Sequence, residues 1–175
     1  MREEYIYLTI LFLPCIVYAS IFSSNSIVHP EVDQNGMVVS QHYLASSVGA
    51  QILEDGGNAY DASIAVAFAL AVVLPRAGNI GGGGFMVMYD EKTDKSYSID
   101  YREKAPALAS KDMYLNDDGS VNNKRAREGL LSIGVPGTVY GMWEVHKKFG
   151  SLPWKKLLDP AIKLAEEGFI MSPFM

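Results

Sequence analysis

The charged residue with the clearest chemical potential in this sequence is Arg102, which closes an apolar–polar alternation ending in Ile99-Asp100-Tyr101. An arginine at the tip of a strand can hold a carboxylate through two parallel hydrogen bonds, because its guanidinium is planar and permanently charged. The same side chain also suits a structural ion pair with Glu103 or Asp100, the commoner use of an isolated charge. Spacing alone leaves both uses open.

A nucleophile is harder to find. The threonines are Thr9, Thr93 and Thr138. Thr9 lies in an apolar N-terminal run, Thr93 in a charged turn, and Thr138 at a helix start where capping accounts for it. No serine sits in a Gly-x-Ser-x-Gly elbow. His29, His42 and His146 match no metal-ligand spacing, so no protein metal site is expected. His146 shares a helix face with Met142 and Phe149, which predicts a core or boundary histidine. The glycine run Gly81–Gly84 follows a helix and precedes a strand. Phosphate loops have the opposite order, with helix N-terminal amides facing the anion. Close backbone packing is therefore expected at Gly82, Gly83 and Gly84.

Composition narrows the classes further. The hydrophobic content of 49% in 175 residues is that of a globular chain with a real core. The formal charge is −5, and no Lys/Arg run could grip a phosphate backbone, so nucleic acid is not an expected partner. Residues 6–22 carry no charge, and Val17-Tyr18-Ala19 before Ser20 fits a small-residue cleavage site. Residues 1–19 are thus expected to be a signal peptide and the protein to be exported, periplasmic or secreted. An uncleaved N-terminal membrane anchor is the alternative. Cys15, the single cysteine, would leave with the signal, so no disulfide is expected.

The elements that must position Arg102 follow from periodicity. Residues 20–36 form a polar tether. Met37–Ser40 is a short buried strand candidate. Leu44, Val48 and Ile52 recur every four residues and predict a helix over 42–55, stopped by Gly56-Gly57. Residues 61–74 are apolar on every side and predict a fully buried helix, with Asn58 and Asp61 at its start and Pro75 at its end. Residues 85–89 and 97–101 predict an antiparallel hairpin, the first strand apolar on both faces. Residues 107–132 are mostly loop. A helix over 138–149 carries Val139, Met142, Trp143, His146 and Phe149 at 3–4 spacing. Another follows Pro153 with Leu157, Leu158, Ala161, Ile162 and Ala165 inward, closed by Gly168.

Taken in order, these segments resemble one family. Val38-Val39-Ser40-Gln41-His42-Tyr43-Leu44-Ala45-Ser46 is similar to its opening strand and helix, and Gly56-Gly57-Asn58-Ala59-Tyr60-Asp61-Ala62 to its "GGNAVDA". Gly78-Asn79-Ile80-Gly81-Gly82-Gly83-Gly84-Phe85 resembles "GIGGGGF", and Asp100-Tyr101-Arg102-Glu103-Lys104-Ala105-Pro106 resembles "DFRExAP". Gly134–Val139 is similar to "GVPGTV", and Leu152–Trp154 with Pro160–Ile162 and Ala165–Phe169 to "LPW…PAIxLAEEGF". The family is the γ-glutamyltransferases, also called γ-glutamyltranspeptidases or glutathione hydrolases.

The resemblance implies an α+β fold, the αββα sandwich of the N-terminal-nucleophile hydrolases. Residues 37–175 correspond to the N-terminal part of the large subunit. It further implies a precursor that cuts itself, and a small-subunit threonine that attacks the γ-glutamyl amide of glutathione and related γ-glutamyl compounds. The acyl group then passes to water, an amino acid or a peptide, with no cofactor. At Arg102 it implies a contact to the donor's α-carboxylate, and at Glu103 a structural partner. The sequence stops at Met175 without the small subunit, so this chain alone is expected to be inactive. Alternatives within the resemblance are a relative acting on poly-γ-glutamate or on β-lactam side-chain amides, or an inert truncated gene product.

Overall fold

The structure, a computed structural model, describes residues 32–171. The expected signal peptide and the tether up to residue 31 lie outside the described residues. One compact unit begins at Gly36 and contains every element named below.

Helix α1 spans Tyr43–Glu54. Its first free amide, on Leu44, donates to Nδ1 of His42 at 3.3 Å, so an imidazole does the capping usually done by a hydroxyl or carboxylate. The helix ends in a Schellman turn: Gly57 N–H donates to Ile52 O and Gly56 N–H to Leu53 O, with Gly56 at φ +86°. Helix α2 spans Ala59–Val73 and opens with a reciprocal capping box. Asn58 Oδ1 accepts from Asp61 N at 2.9 Å, and an Asp61 carboxylate oxygen accepts from Asn58 N at 3.0 Å. Helix α2 buries Ile64, Ala65, Phe68, Ala69 and Val73, and it packs against α1 and the C-terminal helices.

Strands β1 (Phe85–Asp90) and β2 (Lys95–Asp100) form an antiparallel hairpin. The pairs Met86–Ile99 and Met88–Tyr97 face the helices and join the core. The other face carries Phe85, Val87 and Tyr89 opposite Asp100, Ser98 and Ser96. Those three apolar side chains are 61–82% exposed. β1 is thus apolar on both faces as expected, but among the described residues helices cover only one.

Met37–Ser40 is neither a strand nor buried: it has no ladder partner among the described residues, and Val39 is exposed. A strand needs a second chain to satisfy its amides, and an apolar run alone does not provide one. The expected loop over 107–132 holds a short helix, α3 (Asn123–Arg127), and a 3-10 turn at Leu130–Ser132 just beyond it.

Helices α4 (Thr138–Phe149) and α5 (Trp154–Glu167) complete the unit. Their buried faces differ from the expected stripes. On α4, Gly141, Met142 and Val145 are buried, whereas Val139 and Trp143 are exposed. On α5, Leu157 and Ala161 are buried, but Ile162 and Ala165 are exposed. Gly141 lets α4 approach the Tyr101 ring, and that approach sets the helix's rotation. Asp61, fully buried, accepts from the backbone N–H of Ser151 at 3.1 Å and from its hydroxyl, tying the start of α2 to the α4–α5 turn. His146 lies at the core boundary between Trp143 and Trp154, and its Nε2–H donates to Leu152 O at 2.8 Å. Among the described residues no helix is long and apolar enough to cross a membrane.

Candidate functional site

Arg102 sits where three backbone segments converge. The chain leaves β2 with Tyr101 N–H donating to Gly84 O at 3.0 Å, and it then pairs with the turn before α4. Lys104 and Val135 exchange hydrogen bonds of 3.1 and 2.7 Å in an isolated bridge. The stretch from Tyr101 to Glu103 is therefore held between the glycine run and the turn before α4.

That clamp needs glycine. A Cβ on Gly83 would lie 2.7 Å from Arg102 Cα, and one on Gly137 only 2.0 Å from Tyr101 O. Real Cβ atoms do not come so close to backbone atoms, so no larger residue fits without moving the chain that bears Arg102. Gly82 contributes its carbonyl, which accepts from Gly137 N–H at 2.8 Å and Thr138 N–H at 3.1 Å. The glycine run thus caps α4. Close backbone packing holds as expected at Gly83, whereas Gly84 meets the Tyr101 ring and Gly82 meets the side chain of Asn79.

Thr138 departs from its expected role. The N-cap of α4 is Gly137, and Thr138 is the first helical residue. Its buried hydroxyl donates to Asn79 Oδ1 at 2.7 Å, which also accepts from Gly82 N–H at 2.9 Å. Asn79 is a positioning residue, and no local pattern in the sequence singles it out. Its only signal is its place two residues before the glycine run, but its partner is 59 positions away.

The Arg102 side chain is 62% exposed, and the residue touches three neighbours, one of them through its backbone. Its own N–H donates to Asp100 Oδ1 at 2.9 Å. Its Nε–H donates to Glu103 Oε2 at 3.0 Å. Its guanidinium carbon lies 5.9 Å from the centroid of the Phe85 ring. The ion pair with Glu103 is thus present, and Asp100 is engaged through the backbone. Glu103's own backbone amide, and after it the Arg102 guanidinium, hold the Glu103 carboxyl below the usual carboxylate range. Burial pushes the Tyr101 phenol above its ordinary value.

Because Phe85 belongs to the uncovered sheet face, the guanidinium also lies on that open side. A groove of about 550 Å³ between β2 and α4 is walled by Tyr97 and Lys148, and a depression of about 370 Å³ takes in Glu103 and Lys104. Arg102 lines neither. The arrangement can bind one planar anion from one side. Neither described threonine is arranged as a nucleophile: Thr93 Oγ1 donates to Asp90 and Thr138 Oγ1 to Asn79. Among the described residues no three His, Cys, Asp or Glu side chains gather as a metal site would require.

A sequence profile of the family described as gamma-glutamyltranspeptidase matches residues 45–175. The chain is 48% identical over 160 residues to a glutathione hydrolase proenzyme of Pseudomonas aeruginosa, covering 91% of this chain and 28% of that protein. It therefore spans little more than a quarter of that relative's length. Among solved structures it is similar to the gamma-glutamyltranspeptidase of Helicobacter pylori, with 49% identity and a TM-score of 0.76 over 81% of this chain and 40% of that one. It also resembles the cephalosporin acylase of Bacillus halodurans, at 31% identity and a TM-score of 0.67 over 87% of this chain and 29% of that one.

Proposed function

This chain belongs to the γ-glutamyltranspeptidase family and has the α+β fold of its N-terminal-nucleophile hydrolases, and from that premise we propose that it is the donor-anchoring part of a γ-glutamyl acyl-transfer enzyme. The enzyme takes a γ-glutamyl amide, with glutathione as the model donor. It passes the γ-glutamyl group through a threonine ester to water, an amino acid or a peptide. Arg102 holds the donor's α-carboxylate in this reading, and the observation that carries it is the exposed guanidinium on the open sheet face, held at its Nε by Glu103.

The remainder of the mechanism rests with other residues of the precursor. An N-terminal threonine can act as nucleophile and use its own α-amino group as the base, so a small subunit is the partner that completes this site. Residues 1–175 alone, with both described threonines engaged elsewhere, are without γ-glutamyl hydrolase or transferase activity in this reading. Export through the N-terminal segment is part of the same proposal.

The resemblance to a cephalosporin acylase keeps a second substrate class in view, the side-chain amides of β-lactams. The higher identity to glutathione hydrolases supports the γ-glutamyl class, as does an arginine suited to a free α-carboxylate.

The test joins this chain to the remaining sequence of the Pseudomonas aeruginosa relative and changes Arg102→Lys and Arg102→Ala. Removing a close partner of a charged ligand costs about 2–5 kcal/mol, so kcat/KM for a γ-glutamyl anilide should fall by roughly 30-fold or more. A 4-aminobutyryl anilide, which lacks the α-carboxylate, should be turned over about equally by parent and Arg102→Ala. Equal losses with both donors, or a loss of self-cleavage, would make Arg102 a structural ion-pair residue and overturn the proposal.

A further inference from the structure

The Nε edge of Arg102 is already committed to Glu103 Oε2 at 3.0 Å. An arginine offers two coplanar pairs of N–H bonds to a carboxylate, one along the Nε side and one across the two terminal nitrogens. With Nε taken by Glu103, a bidentate ligand must approach end-on, at Nη1 and Nη2. Neither of these has a partner among the described residues. End-on approach works only if the guanidinium plane is already set. Glu103 fixes one point of that plane and leaves the group free to tilt about it.

The second restraint comes from the strand opposite. Phe85 is the first residue of β1, immediately after the glycine run, and pairs with Asp100 across the ladder. The residue is 64% exposed, and its ring packs beside the guanidinium, 5.9 Å from centroid to carbon. A cation held over an aromatic face at this distance is attracted by the ring quadrupole. Val87, two residues on and on the same sheet face, is more exposed and has no such contact with Arg102.

We propose that Phe85 is a positioning residue: its ring supports the Arg102 guanidinium so that, with Glu103 holding the Nε edge, only the terminal nitrogens meet the donor carboxylate. The inference rests on the reading of Arg102 as the α-carboxylate anchor and adds the residue that pre-sets it. Phe85 touches no reacting atom in this scheme and acts through Arg102. Ordering one long side chain in advance removes a cost otherwise met on binding.

The same joined enzyme tests it. Phe85→Leu keeps an apolar side chain but removes the ring, Phe85→Tyr keeps the ring, and Val87→Ala controls for the exposed face. Phe85→Leu should raise KM for a γ-glutamyl anilide by roughly 3- to 10-fold, the factor expected when one side chain must be ordered on binding. Its kcat should stay near the parent's, and its rate with the 4-aminobutyryl anilide should not change. Phe85→Tyr and Val87→Ala should match the parent on both donors. An unchanged KM in Phe85→Leu overturns the inference, and so does an equal loss with both donors, which marks a purely structural ring. If Phe85→Leu does not fold, Phe85→Met, which also lacks a ring, is judged by the same test: a KM rise for the γ-glutamyl donor alone supports the inference, and no rise or an equal loss with both donors overturns it. Arg102→Ala separates the two readings: if it discriminates between donors and Phe85→Leu does not, only this inference falls, and if it treats both donors alike, both fall.

Discussion

Gly137 stands against Tyr101 so closely that a Cβ placed on it would come within 2.0 Å of the Tyr101 carbonyl oxygen. Its own backbone is unexceptional, at φ −111° and ψ −16°, so the requirement for glycine is steric and not conformational. The atom in the way is a backbone oxygen and cannot rotate aside. Gly137→Ala should therefore destabilise the unit by about 3 kcal/mol, the upper end of overpacking costs. Gly119→Ala is the contrast: that glycine has φ +81° with nothing near its missing side chain, and replacing it should cost only about 1 kcal/mol. Urea unfolding of the two variants should give this order. Equal losses would mean that the clamp on the Arg102 segment is slack.

A second prediction concerns Asp61, in the first turn of α2. Its buried carboxylate accepts from Asn58 N–H and from both the N–H and the hydroxyl of Ser151. Asp61→Ala leaves three part-buried donors without this acceptor and should cost about 2–3 kcal/mol. Ser151→Ala removes only the hydroxyl bond to a charged acceptor and should cost about 1.5–3 kcal/mol. The double variant should lose less than the sum, because the two changes share one interaction. Strict additivity in unfolding midpoints would show that Asp61 and Ser151 do not act together.

These two residues also mark what the sequence could and could not reveal. Asn58 and Asp61 stand three apart, so the start of α2 was readable as a cap and first turn. That Ser151 closes the same carboxylate was not, because the partners are 90 positions apart and no local pattern links them. Arg102 was readable from its strand-tip position and from its family motif. Its support by Phe85 was not, since that contact depends on the hairpin register. Helix periodicity located α4 and α5, but a 3–4 spacing admits neighbouring stripes, and Gly141 against Tyr101 selected the one that is buried. Met37–Ser40 failed as a strand because pairing is a property of two segments, and only one was in view.

Export makes a prediction that sequencing can settle. The uncharged stretch 6–22, with Val17-Tyr18-Ala19 before Ser20 within it, implies removal of residues 1–19. Edman sequencing of exported protein should begin at Ser20. A chain recovered with Met1 intact in the membrane fraction would favour an N-terminal anchor instead.

The last prediction concerns pH at the Arg102–Glu103 pair. The Glu103 carboxyl is held below the ordinary carboxylate range first by its own backbone amide and then by Arg102, with desolvation opposing both. A group whose folded value is depressed contributes its interaction above its unfolded value, and the contribution disappears as pH falls through the folded one. The pair should therefore stay intact from neutral pH down through the range where a free glutamate titrates, and open only below it. In a carboxyl-carbon NMR titration, Glu103 should have a lower midpoint than a glutamate free of such contacts. Arg102→Ala should move the Glu103 midpoint only part of the way back, because the larger cause, the backbone amide, remains. Weak salt dependence is not expected, since the pair is exposed enough for mobile ions to screen it. A Glu103 midpoint equal to that of a free glutamate would show that the ion pair does not persist in solution. The guanidinium would then have its Nε edge open, and a carboxylate could approach from that side as readily as end-on.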